Sequence, residues 1–200
     1  YQHAISKRKD TYELRLKYGI PAKKRVFFCP ARLLKLKGLD LFLKSAGKVK
    51  GISKACFLLA GEGPMKKELQ DIADKENLDV HFMGYCNQDT VIEFYALSDF
   101  FFLPSLQDCN PLSAIEAAFA GLPLCVSIYT GNSPELIQPY KNGVVFDILD
   151  TEEVQACIYF LLNASEEWVS NAGRESVAIA QNSFACINET KKFLAQLREG

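Results

Sequence analysis

The 200-residue sequence has no apolar run of the ~18 to 20 residues that a bilayer-spanning helix needs, and no basic segment leading into an apolar core at its start. Neither a transmembrane helix nor a secretory leader is expected. It also lacks an excess of charge of either sign: 23 Lys and Arg stand against 24 Asp and Glu, a formal net charge of -1. That balance gives no bulk electrostatic reason to expect nucleic acid or a membrane surface as partner. No Cys-x-x-Cys pair is present, which excludes the common zinc and dithiol redox patterns. The seven cysteines (Cys29, Cys56, Cys86, Cys109, Cys125, Cys157, Cys186) are odd in number, scattered and mostly set in apolar runs, so they read as reduced core residues of a cytoplasmic protein. No Gly-x-Gly-x-x-Gly opens the first helical segment, which weighs against an NAD-dependent Rossmann enzyme. Internal repeats and low-complexity stretches are absent as well.

What is present is alternation. After Gly19-Ile20-Pro21, short apolar runs alternate with longer amphipathic segments, the pattern of repeated βα units. Strands are expected at Arg25 to Pro30, Ala55 to Gly61, Val80 to Gly84, Asp99 to Leu103, Leu124 to Ser127 and Val144 to Asp147. Helices are expected near 38–50, 64–76, 88–98, 111–120, 133–138, 151–163, 165–181 and 184–198. The expected fold class is α/β: a doubly wound parallel sheet of about six strands with helices on both faces. The start at Tyr1 and the basic lead SKRKDTYELRLKYGIP suggest a fragment.

In such sheets ligands bind beyond the carboxyl ends of the strands, so every strand-exit loop is a candidate site wall. The stretch DFFFLPSLQDCNPLSAIEAAFAGLP, residues 99–123, carries the most chemistry. An apolar run stops at Pro104-Ser105, and a polar loop follows. A small-residue helix then begins, with Asn110 a favoured N-cap and Pro111 suited to the first helical position. Asp108 lies in the loop and Glu116 about a turn and a half into the helix. Free N–H groups and the helix dipole make that N-terminus a natural phosphate site, beside which carboxylates can bond sugar hydroxyls. On spacing alone, a plain loop acid and a solvated helix acid fit equally well.

The first exit loop, Ala31 to Gly38, carries Arg32 and Lys37, a bidentate guanidinium and a mobile ammonium suited to neutralising a diphosphate. Lys23-Lys24-Arg25 reads instead as solvated surface charge. Gly61-Glu62-Gly63-Pro64 can serve a ligand's close approach or merely a turn. Phe82-Met83-Gly84-Tyr85-Cys86 has backbone able to pair with a base edge. His81 fits a structural histidine better than a catalytic one, and Trp168 fits packing.

Taken in order, these segments resemble the C-terminal half of a GT-B fold retaining glycosyltransferase of group 1, family 4. The resemblance rests on Arg32-Leu33 through Lys37-Gly38, Leu59 to Pro64, His81 to Gly84, and Leu103-Pro104-Ser105 with Asp108 to Glu116. Glu116 through Pro123, Gly131 to Glu135 and Asn142-Gly143-Val144 complete it, over about residues 9–199. It implies transfer of a sugar from a nucleoside diphosphate sugar, UDP- or GDP-linked, with retained anomeric configuration and no cofactor or metal. Arg32, Lys37, Asp108 and Glu116 would be the catalytic set. Gly61, Met83, Gly84, Tyr85, Cys86, Asn110, Pro111, Leu112 and Ser113 would line the donor. Asp108 stands where the family has glutamate, which keeps the charge and loses one methylene of reach. Pro111 stands where many members have glycine and leaves the N–H groups of Leu112 and Ser113 as donors. The implied division is a linker from a missing N-terminal acceptor domain at 1–24, the nucleotide-sugar domain at 25–182 and a returning helix at 183–200. The fragment alone would bind nucleotide without catalysis, and any peripheral membrane association would come through the missing domain. A degenerate, non-catalytic binding or scaffold module is the alternative.

Overall fold

The computed structural model describes residues 11–184, and within them the six short apolar runs become six parallel strands. In chain order the elements are α1 (Thr11–Lys17), β1 (Arg25–Pro30), α2 (Leu39–Ala46), β2 (Ala55–Ala60), α3 (Lys66–Lys75), β3 (Val80–Gly84) and α4 (Gln88–Leu97). They continue with β4 (Phe100–Leu103), α5 (Leu112–Phe119), β5 (Leu124–Ser127), α6 (Ser133–Leu136), β6 (Gly143–Phe146), α7 (Thr151–Leu162) and α8 (Glu166–Phe184). The order across the sheet is β3-β2-β1-β4-β5-β6, a doubly wound arrangement whose direction of progression reverses between β1 and β4.

The central strands are apolar throughout because both of their faces are covered. Phe27 and Phe28, neighbours on β1, point to opposite sides. Phe27 meets Phe57 and Phe100, on the face where Phe42 of α2 stacks on Phe102 at 4.7 Å. Phe28 meets Phe94 and Tyr95 of α4 on the other face, both edge-on. Two helices start on side-chain caps: Asn87 accepts from Thr90 N–H ahead of α4, and Asp150 from Glu152 and Glu153 N–H ahead of α7.

Most boundaries fall where the periodicity puts them. β6 is offset by one residue, starting at Gly143 rather than Val144, because Gly143 pairs with Leu124 and a Cβ there would meet the Leu124 carbonyl oxygen at 2.2 Å. The helix expected over 38–50 stops at Ala46, and the chain turns at Gly47 and again at Gly51, which has φ 84°. The helix expected at 165–181 runs on to Phe184; the one expected at 184–198 lies outside the described residues, as does the first part of the 1–24 segment.

Residues 11–24 pack onto the amino edge of the sheet. Arg15, 8% exposed, donates to the carbonyls of Leu97, Ala22 and Lys24 and to Asp99 Oδ2 at 2.9 Å, while Tyr18 sets its ring edge-on to Phe94. No described helix is long and apolar enough to cross a membrane.

Candidate functional site

Because the strand order reverses between β1 and β4, their exit loops, residues 31–38 and 104–111, leave the carboxyl edge side by side. The two loops touch. Leu106 N–H donates to the Leu36 carbonyl at 2.8 Å, and a Cβ on Gly38, which has φ +63°, would strike the Pro104 carbonyl oxygen at 2.2 Å. Glycine at 38 is thus a requirement of the crossing.

That crossing brings Lys37 and Asp108 together across 71 residues of sequence, with Nζ 2.5 Å from Oδ2. Their side chains are only 21% and 17% exposed, so the pair is screened less than a surface ion pair. Arg32, at the start of the same loop, makes no ion pair among the described residues. The β1 exit loop thus carries one guanidinium without an ion pair among the described residues and one ammonium paired to the loop that leads into α5.

The start of α5 differs from expectation. Its N-cap is Pro111, with φ -67° and ψ 114°, and no side chain caps it. Asn110 does not cap the helix because its side-chain oxygen accepts from Asn132 Nδ2 at 3.0 Å; the same amide also donates to the Pro111 carbonyl at 3.2 Å. A long-range partner has taken the carboxamide that local preference assigns to the cap. The N–H groups of Leu112 and Ser113, in the first turn, consequently have neither an intrahelical nor a capping partner, which leaves them available to an anion. Glu116, one turn further on, is held from beneath by Tyr95, whose hydroxyl lies 3.1 Å from both Glu116 Oε2 and the Ser113 carbonyl.

The neighbouring exit loops extend this rim in both directions. Towards β5, Asp108 N–H donates to the Tyr129 carbonyl, Gly131 N–H donates to the Asp108 carbonyl at 2.8 Å, and a parallel bridge joins Asp108 to Thr130. Towards β2 and β3, Leu33 N–H donates to the Glu62 carbonyl at 3.0 Å, and Gly61 N–H to the Gly84 carbonyl at 2.8 Å. Gly61, at φ +146°, leaves no room for a side chain, since a Cβ would meet the Ala31 carbonyl oxygen at 2.1 Å. Its glycine is explained by loop contact. Among the described residues, buried side-chain atoms without a partner are Asp40 Oδ1, Ser105 Oγ, Thr130 Oγ1 and Asn132 Oδ1. All four belong to the exit loops of β1, β4 and β5 or the first turn of the helix that follows. Unpaired buried polar atoms are infrequent, and these four gather in the loops and first helical turns of the rim.

The 83–86 segment lies further out, on the edge strand. Met83 is packed against the core, Tyr85 is 85% exposed, and the Cys86 thiol turns back on the carbonyls of Met83 and Gly84. Burial pushes that thiol above its ordinary pKa. His81 bonds Asp79 at 3.0 Å. Trp168 packs edge-on to Phe160 and donates from Nε1 to the Tyr140 carbonyl, a packing role. Sequence reasoning missed Tyr95 and Asn132. Tyr95 had a signal, a lone hydroxyl in the run Phe94-Tyr95-Ala96-Leu97; Asn132 had none, because its partners lie 21 and 22 residues away.

Residues 10–175 match the family described as Glycosyl transferases group 1. The chain belongs to this family. Among curated relatives, the N-acetyl-alpha-D-glucosaminyl L-malate synthase of Bacillus anthracis is 28% identical over 173 residues, covering 85% of this chain and 45% of the relative. The sulfoquinovosyl transferase SQD2 of Arabidopsis thaliana is 30% identical over 173 residues, covering 84% and 32%. Among solved structures, Anabaena Alr3699/HepE in complex with UDP-glucose superposes with a TM-score of 0.80 at 20% identity, over 96% of this chain and 53% of that one. The chain thus spans about a third to a half of the length of these curated relatives and has the fold of one half of a GT-B glycosyltransferase, consistent with the C-terminal domain.

Proposed function

We propose that the chain is the donor-binding domain of a retaining, family 4 glycosyltransferase that takes a sugar from a UDP- or GDP-linked donor and passes it to an acceptor held by a second domain. The observation that carries this reading is the meeting of Lys37 with Asp108 at the switch point of the sheet, beside the uncapped first turn of α5. Breaking the bond between sugar and diphosphate builds positive charge on the sugar ring and negative charge on the departing diphosphate. Arg32, Lys37 and the amides of Leu112 and Ser113 face that negative charge as preorganised donors, the kind of arrangement whose loss costs about 10²–10³ in rate. Glu116, fixed by Tyr95, bonds the ribose hydroxyls, and Asp108 faces the sugar. Met83 to Cys86 offer backbone to the base. UDP-glucose in a structural neighbour and GDP-mannose in the name of a relative support a nucleoside diphosphate sugar without choosing between bases.

The test is nucleotide-dependent stability of the full chain. UDP or GDP at about a hundred times its Kd stabilises a binding protein by about 2.7 kcal/mol, or about 5–10 °C for a domain of this size. The shift should vanish in Arg32→Ala and Glu116→Ala. No shift with any nucleoside diphosphate or its sugars would refute the reading.

A second reading, a non-catalytic nucleotide-sugar module, draws on Asp108: it is shorter than the glutamate of the resemblance and already engaged by Lys37. Full-length protein distinguishes the two. Sugar transfer that falls in Asp108→Asn keeps the protein an enzyme, whereas nucleotide binding with no transfer or donor hydrolysis makes it a binding module.

A further inference from the structure

We propose a transition-metal site at the amino end of the β2–β3 edge, with Cys56, Asp79 and His81 as ligands for a zinc-class divalent ion. The site is independent of the donor rim, which lies at the opposite end of the same strands around Gly61 and Gly84.

The backbone places the three donors. Asp79, just before β3, and His81, its second residue, are two apart in extended chain, so their side chains leave the same face. The parallel register sets Leu58 against His81 and Phe57 against Val80, and Phe57 N–H donates to the Asp79 carbonyl at 2.8 Å. The register carried one residue back brings Cys56 opposite Asp79. One atom from each side chain, a sulfur, a carboxylate oxygen and a ring nitrogen, then lies within 4.8 Å of the other two. Bonds of about 2.0–2.3 Å around a tetrahedral zinc ion separate its ligands by about 3.5 Å. The gap between the observed spacing and a closed site is therefore about an ångström of side-chain rotation.

The donor set selects the ion. A thiolate, an imidazole and a single carboxylate suit zinc and its neighbours, and offer too little oxygen for calcium or magnesium. The two oxygens of Asp79 already have different surroundings: Oδ1 faces His81 Nε2 at 3.0 Å, and Oδ2 is held by Lys24 Nζ at 2.9 Å. Oδ1 is the ligand; the ammonium on Oδ2 fixes the carboxylate from outside, the usual job of a group behind a metal ligand. Cys56 is fully buried and closes the inner side, while Asp79 and His81 are each 25% exposed, which leaves the fourth position to water. No Cys-x-x-Cys or His-x-x-His spacing announces such a site, because its ligands come from two strands and meet only through the sheet.

Cobalt(II) titration of the full chain tests this. In a Cys109→Ser, Cys186→Ser background, one equivalent should produce the visible bands of tetrahedral cobalt together with a near-ultraviolet sulfur-to-cobalt charge-transfer band, and zinc should bleach both. Cys56→Ser should lose the charge-transfer band. His81→Asn, which leaves the buried thiol in place, should weaken cobalt binding at least tenfold and so guards against misfolding of the serine variant. Zinc should also raise the melting temperature of the parent and not of His81→Asn. Absence of the sulfur band, or an identical band in Cys56→Ser or His81→Asn, overturns the proposal.

Discussion

The phenol of Tyr95 is 1% exposed and packs edge-on to Phe28, yet its oxygen reaches Glu116 Oε2 and the Ser113 carbonyl. One buried hydroxyl thus ties the core to the carboxylate proposed to hold the ribose. Tyr95→Phe keeps the ring and removes only that oxygen, so the fold should survive with a loss of about 1 kcal/mol, the net worth of such a bond, and a melting temperature about 2–4 °C lower. Freed of its anchor, Glu116 samples rotamers that miss the ligand. Nucleotide affinity, read by calorimetry, should fall about threefold to tenfold, or about 0.7–1.4 kcal/mol. Because Tyr95 acts through Glu116, adding Tyr95→Phe to Glu116→Ala should weaken binding no further. An unchanged affinity in Tyr95→Phe would remove the positioning role.

Elements show where local rules suffice and where they do not. Strands β1 and β5 start and end where they were expected, since a strand covered on both faces is written in sequence as a nearly continuous apolar run. The starts of α4 and α7, expected at 88 and 151, were also legible, and there Asn87 and Asp150 bond their own first turns. The start of α5 was not, because Asn110 spends its carboxamide on Asn132, which is 4% exposed and belongs to a different exit loop. Arg32, Lys37 and Asp108 lie in strand-exit loops and Glu116 in the helix after β4, as the alternation of elements leads one to expect, whereas the Lys37–Asp108 contact depends on Gly38 passing against Pro104 and has no local signature. Asn132→Ala deletes the side-chain bonds between the β5 exit loop and residues 110 and 111 and leaves the backbone bonds of Asp108 to that loop in place. The expected cost is about 1–2 kcal/mol, with faster amide hydrogen exchange confined to residues 104–113 and 128–133 and unchanged protection in β1 and β2. Uniformly faster exchange, or none, would show that Asn132 does not clamp these loops.

At the scale of the molecule, the doubly wound parallel sheet follows from the alternation of elements, while the scattered cysteines carry a consequence for stability. Cys29, Cys56, Cys125 and Cys157 are all buried, and burial leads the causes that push Cys29 and Cys56 up to about 12, Cys157 to about 11 and Cys125 well above its ordinary value. A thiol whose pKa is raised by folding contributes stability that is fully present below its unfolded pKa. As pH rises past that value the unfolded chain ionises first, and the contribution drains away until the folded thiol ionises too. For Cys29 this window runs from about pH 9 to about pH 12. At pH 10 a single such thiol accounts for about 1.4 kcal/mol, the free energy of one pKa unit. Urea melts at pH 7.5 and pH 10 should therefore show a marked alkaline loss in the parent chain. In Cys29→Ala that loss should be smaller by about 1.4 kcal/mol, whatever the substitution costs at pH 7.5, because an alanine has no proton to release. Equal alkaline losses in the two proteins would mean that Cys29 is less sealed from water than its place in β1 implies.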